Sequence, residues 1–480
     1  MTEEIKNSNI NEEMKPEAGE QRFSRLVKRL LMGGMKGLYL VVLTGIFAWL
    51  WVSHYMALMP VRYFYRGNIA IVGIYLVLLW LFNRAFGALK IGHLKTWDVL
   101  YSQIFAVLCT NGTIYVVLLL IHGSWAMFRG FTPVFEEIGP ILLMTALDIF
   151  IFLIWAITAR NVYAWLYPPH ELLLIYGSSG PEDLITTLRK RSDRYCIRES
   201  ISMEEGTDRI MQKMSAFDAV MVGDVPSHER NRIIKYAFEK NIRCYCIPKI
   251  SDIMIRSADG IELFDTPILL FRNDGLSLTE RFLKRAVDII VSLLALVPFS
   301  IIMAAVAAAI WLDDRGPLFY TQERLTTNGR VFSILKFRSM IVSSESESGA
   351  RLASAEDDRI TRVGKVIRRL HFDELPQLFN ILKGDMSLVG PRPERPDIAA
   401  AYREVIPEFD YRLKVKAGLT GYAQVYGQYN TKPYDKLKLD LNYIENYSLW
   451  LDFKLMLLTI KILFQKEKSV GVDASKKTAL

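Results

Sequence analysis

The sequence predicts a membrane protein of α plus α/β class: a four-helix transmembrane bundle, a Rossmann-like cytoplasmic domain, and a C-terminal domain entered through a re-entrant helix. Three observations lead there. Four long apolar stretches fill the first third of the chain, the hydrophobic period changes between about 171 and 275, and a fifth apolar segment is broken by Pro298 and flanked by basic residues. A mean hydropathy of +0.18 with 51% hydrophobic residues over 480 positions is high for a water-soluble protein, so part of the chain belongs in lipid.

The apolar stretches at 37–60, 67–86, 99–122 and 139–159 are each long enough to cross a hydrocarbon core about 30 Å thick. Seven lysines and arginines precede the first (Lys6, Lys15, Arg22, Arg25, Lys28, Arg29, Lys36), and three lie between the second and third (Arg84, Lys90, Lys95). The other two loops hold only Arg62 with Arg66, and Arg129. That asymmetry places both ends of the bundle in the cytoplasm. Residues 1–34 are expected as a disordered cytoplasmic tail, because the polar opening lacks the layout of a cleaved secretory signal. The bundle then spans 35–165. Asn111 and Asp148 fall inside apolar segments, and pairing within the bundle is the reading preferred to a functional one.

From 166 to 277, apolar runs at Leu172–Tyr176, Ala219–Val222 and Ile268–Phe271 alternate with polar helical stretches such as Ser227–Lys240, the rhythm of a parallel α/β sheet. The turn Gly177-Ser-Ser-Gly180 lacks the middle glycine of a dinucleotide fingerprint, so a tight strand-to-helix turn is expected rather than a cofactor site. Cys109, Cys196, Cys244 and Cys246 lack the paired spacing of a zinc site and are expected as reduced packing residues, with Cys244–Cys246 in a short strand.

Residues 278–480 form the last predicted domain, with a membrane segment at 287–312. Lys284 and Arg285 precede its apolar core, Ile289–Leu312, and a dense basic run, Arg359–Arg369, follows. Positive flanks on both sides argue against a crossing, and a proline in mid-helix removes one hydrogen bond and crowds the preceding turn. A hairpin bent at Pro298 that enters and leaves by one face is therefore expected, against the alternative of a kinked spanning helix. The tail Trp450–Phe464 suits either an interfacial helix or a core-packing one.

Chemistry concentrates between 313 and 430, where glycine, proline, arginine and acid crowd together in Gly316-Pro317, Gln322-Glu-Arg324, Lys336-Phe-Arg338, Arg359-Ile-Thr-Arg362, Asp373-Glu374, the Gly390-Pro-Arg-Pro393 turn and Gly418-Leu-Thr-Gly421. Arginine forks and a compact lysine charge around one carboxylate pair suit a polyphosphorylated anion. Adjacent carboxylates project in different directions from a helix, so Asp373 and Glu374 are expected to serve different partners. One can attack phosphorus while the other holds Mg²⁺ against diphosphate oxygens. A hairpin at head-group depth would let the site meet a lipid phosphate and a cytosolic nucleotide-sugar together.

Here the residues resemble a known family. The segment from about Arg281 to Phe464 is similar to the catalytic domain of the bacterial sugar transferases, the monotopic polyprenyl-phosphate phosphoglycosyl transferases. The likeness runs through GPLFYTQER, KFRSM, RITRVGKVIRRLHFDELPQLFNILKGDMSLVGPRP, GLTGYAQVYG and YIENYSLWLDFKLMLLTIKI, in order. With four helices and a degenerate Rossmann-like domain in front, the chain resembles the long form that starts exopolysaccharide, capsule or O-antigen repeat units.

The resemblance implies that Asp373 is the nucleophile, forming a phosphosugar–enzyme intermediate with loss of UMP from a UDP-sugar, and that Glu374 is a ligand of Mg²⁺. It implies undecaprenyl phosphate as acceptor, and phosphate-binding or site-ordering roles for Lys336, Arg338, Arg368 and Arg392. Two departures stand out: Val297-Pro298 replaces the common Ser-Pro at the bend, and His371-Phe372 replaces a small polar residue and a leucine before the acidic pair. The implied location is the bacterial inner membrane, with the catalytic domain on its cytoplasmic face.

The expected partners are a UDP-sugar, undecaprenyl phosphate and membrane lipids, with no nucleic acid; the formal charge of +8 suits anionic lipid and phosphorylated substrates. A homodimer through the bundle or the α/β domain is compatible with the pattern. The alternative from another class is a nucleotide-sensing membrane regulator, which would release no UMP. A polytopic transferase would need more spans than the sequence offers.

Overall fold

The computed structural model describes residues 18–58, 65–92, 94, 96–121, 138–177, 180–271, 275–341, 359–428 and 431–463. The tail to residue 17, Arg62, Lys95, Arg129 and the middle of the Gly177–Gly180 turn lie outside them. The chain divides into two compact units, Met1–Cys246 and Ile247–Leu480.

The first unit opens with four apolar helices: α1 (Ala18–Ser53), α2 (Tyr65–Phe86), α3 (Thr96–Ile121) and α4 (Ile138–Leu166). Each contains a segment long and apolar enough to cross a membrane. They pack through Leu43, Phe47, Tyr75, Leu79 and Phe152, all fully enclosed, while Leu38, Trp49, Leu120 and Leu143 point outward. Large apolar side chains left outward over whole helices are what hydrocarbon would cover. Asn111 Nδ2 donates to Asp148 Oδ2 at 3.0 Å and to Thr145 Oγ1 at 2.9 Å, and Tyr75 Oη donates to Asn111 Oδ1 at 3.1 Å. Tyr75, Asn111, Thr145 and Asp148 thus pair with one another among the apolar helices, as the plainer reading of the sequence has it, and leave Asp148 Oδ1 without a hydrogen bond among the described residues. One correction concerns the tail to residue 34: α1 starts at Ala18, because Leu26, Val27, Leu30 and Leu31 sit among its basic residues at helical spacing and extend the helix toward the N-terminus.

The α/β part follows as β1 (His170–Tyr176), α5 (Glu182–Arg189), β2 (Tyr195–Ser202), α6 (Thr207–Met214), β3 (Ala219–Val222), α7 (Ser227–Glu239) and β4 (Arg243–Cys246). The four strands are parallel in the order β2-β1-β3-β4. Leu173, Ile175, Val220 and Val222 bury against Ile210 and Ile233 of the covering helices. A Cβ on Gly177 would meet the Asp224 carbonyl oxygen at 1.9 Å, so glycine is required by close packing at the exit of β1. The four cysteines are free.

The second unit begins with α8 (Ile250–Ser257), about thirty residues before the boundary expected at 278. Ser257 Oγ donates to Glu445 Oε2 at 2.7 Å, tying α8 to α14 (Pro433–Glu445). Ile268–Phe271 does not extend the parallel sheet: β6 (Thr266–Leu270) pairs antiparallel with β5 (Asp259–Leu263) in a separate hairpin. A two-residue turn joins these strands, and so short a link cannot make the crossover that a parallel pair needs.

Helix α9 (Leu278–Asp314) opens on a capping box between Ser277 and Glu280, and it continues through Pro298. Its first turns are held by Lys284 Nζ on Asp452 Oδ2 at 2.6 Å and by Asp288 Oδ1, which accepts from the Leu388 amide at 2.9 Å and Ser387 Oγ at 3.0 Å. Its last turns bury Val306 and Ile310 against Phe337 and Ile367. Between 293 and 305 no residue is buried. The middle of this apolar helix therefore contributes no buried residue, while both ends are tethered.

Beyond it come the antiparallel pair β7 (Phe319–Leu325) and β8 (Val331–Phe337), then α10 (Arg362–Arg369), α11 (Gln377–Lys383), β9 (Ser387–Val389), α12 (Pro396–Val405), β10 (Gly418–Thr420), α13 (Tyr422–Tyr426) and α15 (Leu449–Leu463). Asp452, Leu455, Leu458 and Lys461 of α15 are buried, so the described part of the tail packs on the domain. Of the two readings of that helix, core packing is the one found.

Candidate active site

The acidic pair sits on a single 3-10 turn, Phe372–Glu374, between α10 and α11. His371 precedes it with φ at 57°, and Pro376 follows as the N-cap of α11. Successive side chains of such a turn project about 120° apart, so the two carboxylates diverge.

Glu374 Oε1 accepts from Lys336 Nζ at 2.8 Å and from Arg392 Nη2 at 3.0 Å. Lys336 is the penultimate residue of β8, which Asn380 of α11 fixes by accepting from the Leu335 amide and donating to the Ser333 carbonyl, both at 2.9 Å. Arg392 belongs to the Gly-Pro-Arg-Pro turn after β9, and its carbonyl accepts from Arg412 Nη2 at 2.9 Å. That turn can approach β10 only without side chains. A Cβ on Gly390 would lie 2.3 Å from the Lys416 carbonyl oxygen, and one on Gly418 would lie 2.1 Å from the Gly390 nitrogen.

Burial works against the charge on Glu374, but the Lys336 and Arg392 charges outweigh it and hold the carboxyl well below its usual range. Asp373 shows the opposite balance. Burial, then the neighbouring Glu374 charge, push its carboxyl up, and Lys336, Arg368 and His371 only partly offset this. Among the described residues the side chain of Asp373 makes no hydrogen bond or ion pair, and neither does that of Arg368, whose charge Asp373 feels. A half-buried carboxylate beside Lys336 and Arg368 is available to an incoming electrophile. Lys336, Arg368 and Arg392 against the two carboxylates leave one net positive charge, which favours approach of an anionic diphosphate.

Five of the six residues singled out from the sequence therefore gather here: Asp373, Glu374, Lys336, Arg392 and Arg368. Arg338 does not join them. Its side chain is 6% exposed, donates through Nη1 to Asp314 Oδ2 at 2.6 Å and through Nε to the Pro317 carbonyl at 2.7 Å, and closes a second contact with Asp314. With its donors turned on the end of α9, Arg338 ties the residues after β8 to that helix. The sequence carried a signal in Asp314, the acid closing an apolar helix.

Reading the sequence also missed two buried ionic networks. Lys284 joins Asp452 and Tyr443, so a residue counted as a membrane-flanking charge is a core anchor. Arg412 lies 2.8 Å from Asp440 and 3.7 Å from Glu394; burial pushes the Asp440 carboxyl up to about 6, with Arg412 opposing. For a metal, no group of three or more His, Cys, Asp or Glu side chains gathers among the described residues. The second oxygen of Glu374 carries no hydrogen bond there, which fits a hard cation that brings phosphate oxygens and water as its other ligands.

A family model described as bacterial sugar transferase matches residues 279–466. The chain is similar to the UDP-N-acetylgalactosamine-undecaprenyl-phosphate N-acetylgalactosaminephosphotransferase of Aeromonas hydrophila, 46% identical over 183 residues, or 38% of this chain and 43% of the relative. It is similar to the undecaprenyl-phosphate glucose phosphotransferase of Komagataeibacter xylinus, 44% identical over 186 residues, covering 37% and 35%. A third relative is the UDP-glucose:undecaprenyl-phosphate glucose-1-phosphate transferase of Klebsiella pneumoniae, 35% identical over 288 residues and 59% of each chain. The matched segments thus span between about a third and three fifths of these relatives' length. The stretch that matches the family model contains the turn of Asp373 and Glu374, the strand of Lys336 and the loop of Arg392, so through residues 279–466 the chain is similar to the bacterial sugar transferase family.

Proposed function

We propose that this protein transfers a hexose-1-phosphate from a UDP-sugar to undecaprenyl phosphate, releasing UMP and starting a polysaccharide repeat unit. The observation that carries the reading is the opposed pair on one turn: Glu374 fixed by Lys336 and Arg392, and Asp373 half-buried beside them with no side-chain partner among the described residues. The activities for which the similar proteins are named support the substrate classes.

In this reading the Asp373 carboxylate attacks the sugar-bearing phosphorus of the UDP-sugar. A phosphorus–oxygen bond forms, the bond to the UMP oxygen breaks, and an aspartyl phosphosugar remains. The phosphate oxygen of undecaprenyl phosphate then attacks the same phosphorus and restores the free carboxylate. Lys336 and Arg392 orient phosphate oxygens and oppose the charge that grows on the leaving UMP, and Arg368 draws the donor in. Glu374 would hold Mg²⁺ together with diphosphate oxygens; when bound, the ion neutralises charge on the leaving group.

The same proposal gives α1–α4 as a four-helix transmembrane bundle, the parallel sheet and its helices as a Rossmann-like cytoplasmic domain, and α9 as a re-entrant helix of the inner membrane bent at Pro298. Support for re-entry comes from the tethers. Asp288 is held by β9 and Asp314 by Arg338 after β8, and Asn380 joins α11 to β8, so one packed body holds both ends. A spanning helix separates its ends by a bilayer about 30 Å thick.

The test is release of UMP from a panel of UDP-sugars by the purified chain with undecaprenyl phosphate and Mg²⁺. Turnover with at least one sugar, lost in Asp373→Asn, is expected; a nucleotide-sensing regulator would bind nucleotide and release no UMP.

A further inference from the structure

Strand β4 ends in Cys244-Tyr245-Cys246 and forms one edge of the parallel sheet. It pairs with β3 alone, Cys244 lying opposite Val220 and Cys246 opposite Val222. Residues i and i+2 of a strand project from the same face, and here the two Sγ atoms lie 3.5 Å apart. A disulfide needs about 2.05 Å between them. The backbone allows that closure: two strand residues advance about 6.6 Å, and disulfides tolerate Cα separations up to about 6.8 Å. On an edge strand the remaining shift disturbs one ladder rather than two.

The two thiols are not equivalent. Cys246 is exposed, whereas Cys244 is half-buried and packs against the sheet core. The hydrogen bond with Cys246, then burial and the Cys246 charge, push the Cys244 thiol up. Cys246 is therefore the first of the pair to ionise, and it is also the one that a reagent in water reaches. The thiolate is the nucleophile in thiol–disulfide exchange, so Cys246 attacks and Cys244 stands behind it to close the ring. Cys109 and Cys196 lie on other elements, α3 and β2.

We propose that Cys244 and Cys246 form a reversible dithiol–disulfide site that exchanges with low-molecular-weight disulfides. In the first step Cys246 Sγ bonds to one sulfur of the small disulfide, the bond between its two sulfurs breaks, and one thiolate leaves. Cys244 then gives up its proton and attacks Cys246 Sγ, and the second small thiolate leaves. The pair loses two electrons and two protons, and the small disulfide ends as two thiols. A ring closed at the upper limit of Cα separation is strained, and strained or exposed disulfides are the readily reduced ones. Cys246 is the last residue of the first unit, so closure reshapes the strand where the chain leaves the sheet. The site uses none of the residues around Asp373 and goes beyond the transferase reading.

The experiment treats the full chain in detergent with glutathione disulfide, alkylates it under denaturing conditions and digests it with trypsin. Cleavage after Arg243 and Lys249 releases both cysteines on one peptide. That peptide is expected unalkylated and two hydrogens lighter, with two of the chain's four cysteines no longer alkylated, and dithiothreitol should restore all four. In Cys244→Ser, one glutathione should stay on Cys246, because the thiol that displaces it is gone. Cys246→Ser should slow oxidation of Cys244 at least tenfold. The wild-type result stands whether or not either variant folds. Four alkylated cysteines after the treatment, glutathione retained on Cys246 of the wild type, or a disulfide to Cys196 or to a second copy would each overturn the proposal.

Discussion

Lys336 Nζ lies 2.8 Å from Glu374 Oε1, which joins the turn bearing the acidic pair to strand β8 and leaves Asp373 as the carboxylate without a cation of its own. The two acids of one dipeptide are thereby given separate tasks by their surroundings.

Removing Glu374 should damage both the fold and the chemistry. Glu374→Gln leaves the Lys336 and Arg392 charges without their carboxylate, and Lys336 is only 19% exposed. A melting temperature lowered by the equivalent of about 1–3 kcal/mol is expected, because the half-exposed Arg392 can turn to water. UMP release should fall roughly 100-fold or more, with a little activity regained at high Mg²⁺. Activity within threefold of wild type would show that Glu374 is dispensable.

Arg338 offers a contrast, since its donors close on Asp314 and Pro317. Arg338→Gln and Asp314→Asn should both lower the melting temperature, by about 1–3 kcal/mol given that Asp314 is partly exposed. KM for the UDP-sugar should stay within about twofold in the fraction that remains folded. A large rise in KM with unchanged stability would return Arg338 to the substrate.

The Asp440 carboxyl, buried and raised to about 6, gives a pH dependence of definite sign. Between about pH 4 and pH 6 it keeps a proton in the folded chain that the unfolded chain has lost, so its contribution to stability declines as pH rises. Asp440→Asn removes that decline. The stability of the variant minus that of the wild type should therefore grow by about 2–3 kcal/mol from pH 4 to pH 7. A difference that is flat, or that shrinks, would mean that Arg412 keeps Asp440 ionised.

Both ends of α9 are expected on the cytoplasmic side. A single cysteine at position 315, just past the end of the helix, in a chain whose other cysteines have been replaced, should react with an impermeant maleimide only after the inner face is opened. Reaction in intact cells would mean that the helix spans.

The architecture was legible where a local pattern decides it. Apolar runs marked the four helices, and the runs at 172–176 and 219–222 marked strands that do lie in the parallel sheet. Five of the six charged residues singled out lie around one turn, because phosphate chemistry calls for a recognisable set of side chains that the sequence shows as motifs. What stayed hidden depends on tertiary context. Nothing around Lys284 distinguishes a flanking membrane charge from a buried partner of Asp452, 168 residues away. Ile268–Phe271 has strand composition, but only its hairpin partner decides which sheet it joins. Arg338 looks like a phosphate ligand until Asp314 is folded against it.

Trapping the covalent intermediate tests the central claim most directly. Enzyme incubated with Mg²⁺ and a UDP-sugar labelled in the sugar, without lipid acceptor, should retain the label on protein, because the first half-reaction does not require the acceptor. UMP should be released in equal amount, the labelled peptide should contain Asp373, and Asp373→Asn should retain no label although it folds and melts at or above the wild-type temperature, having lost a half-buried charge that no side chain pairs. Normal turnover by Asp373→Asn, or label on another residue, would contradict the assignment of Asp373 as the nucleophile.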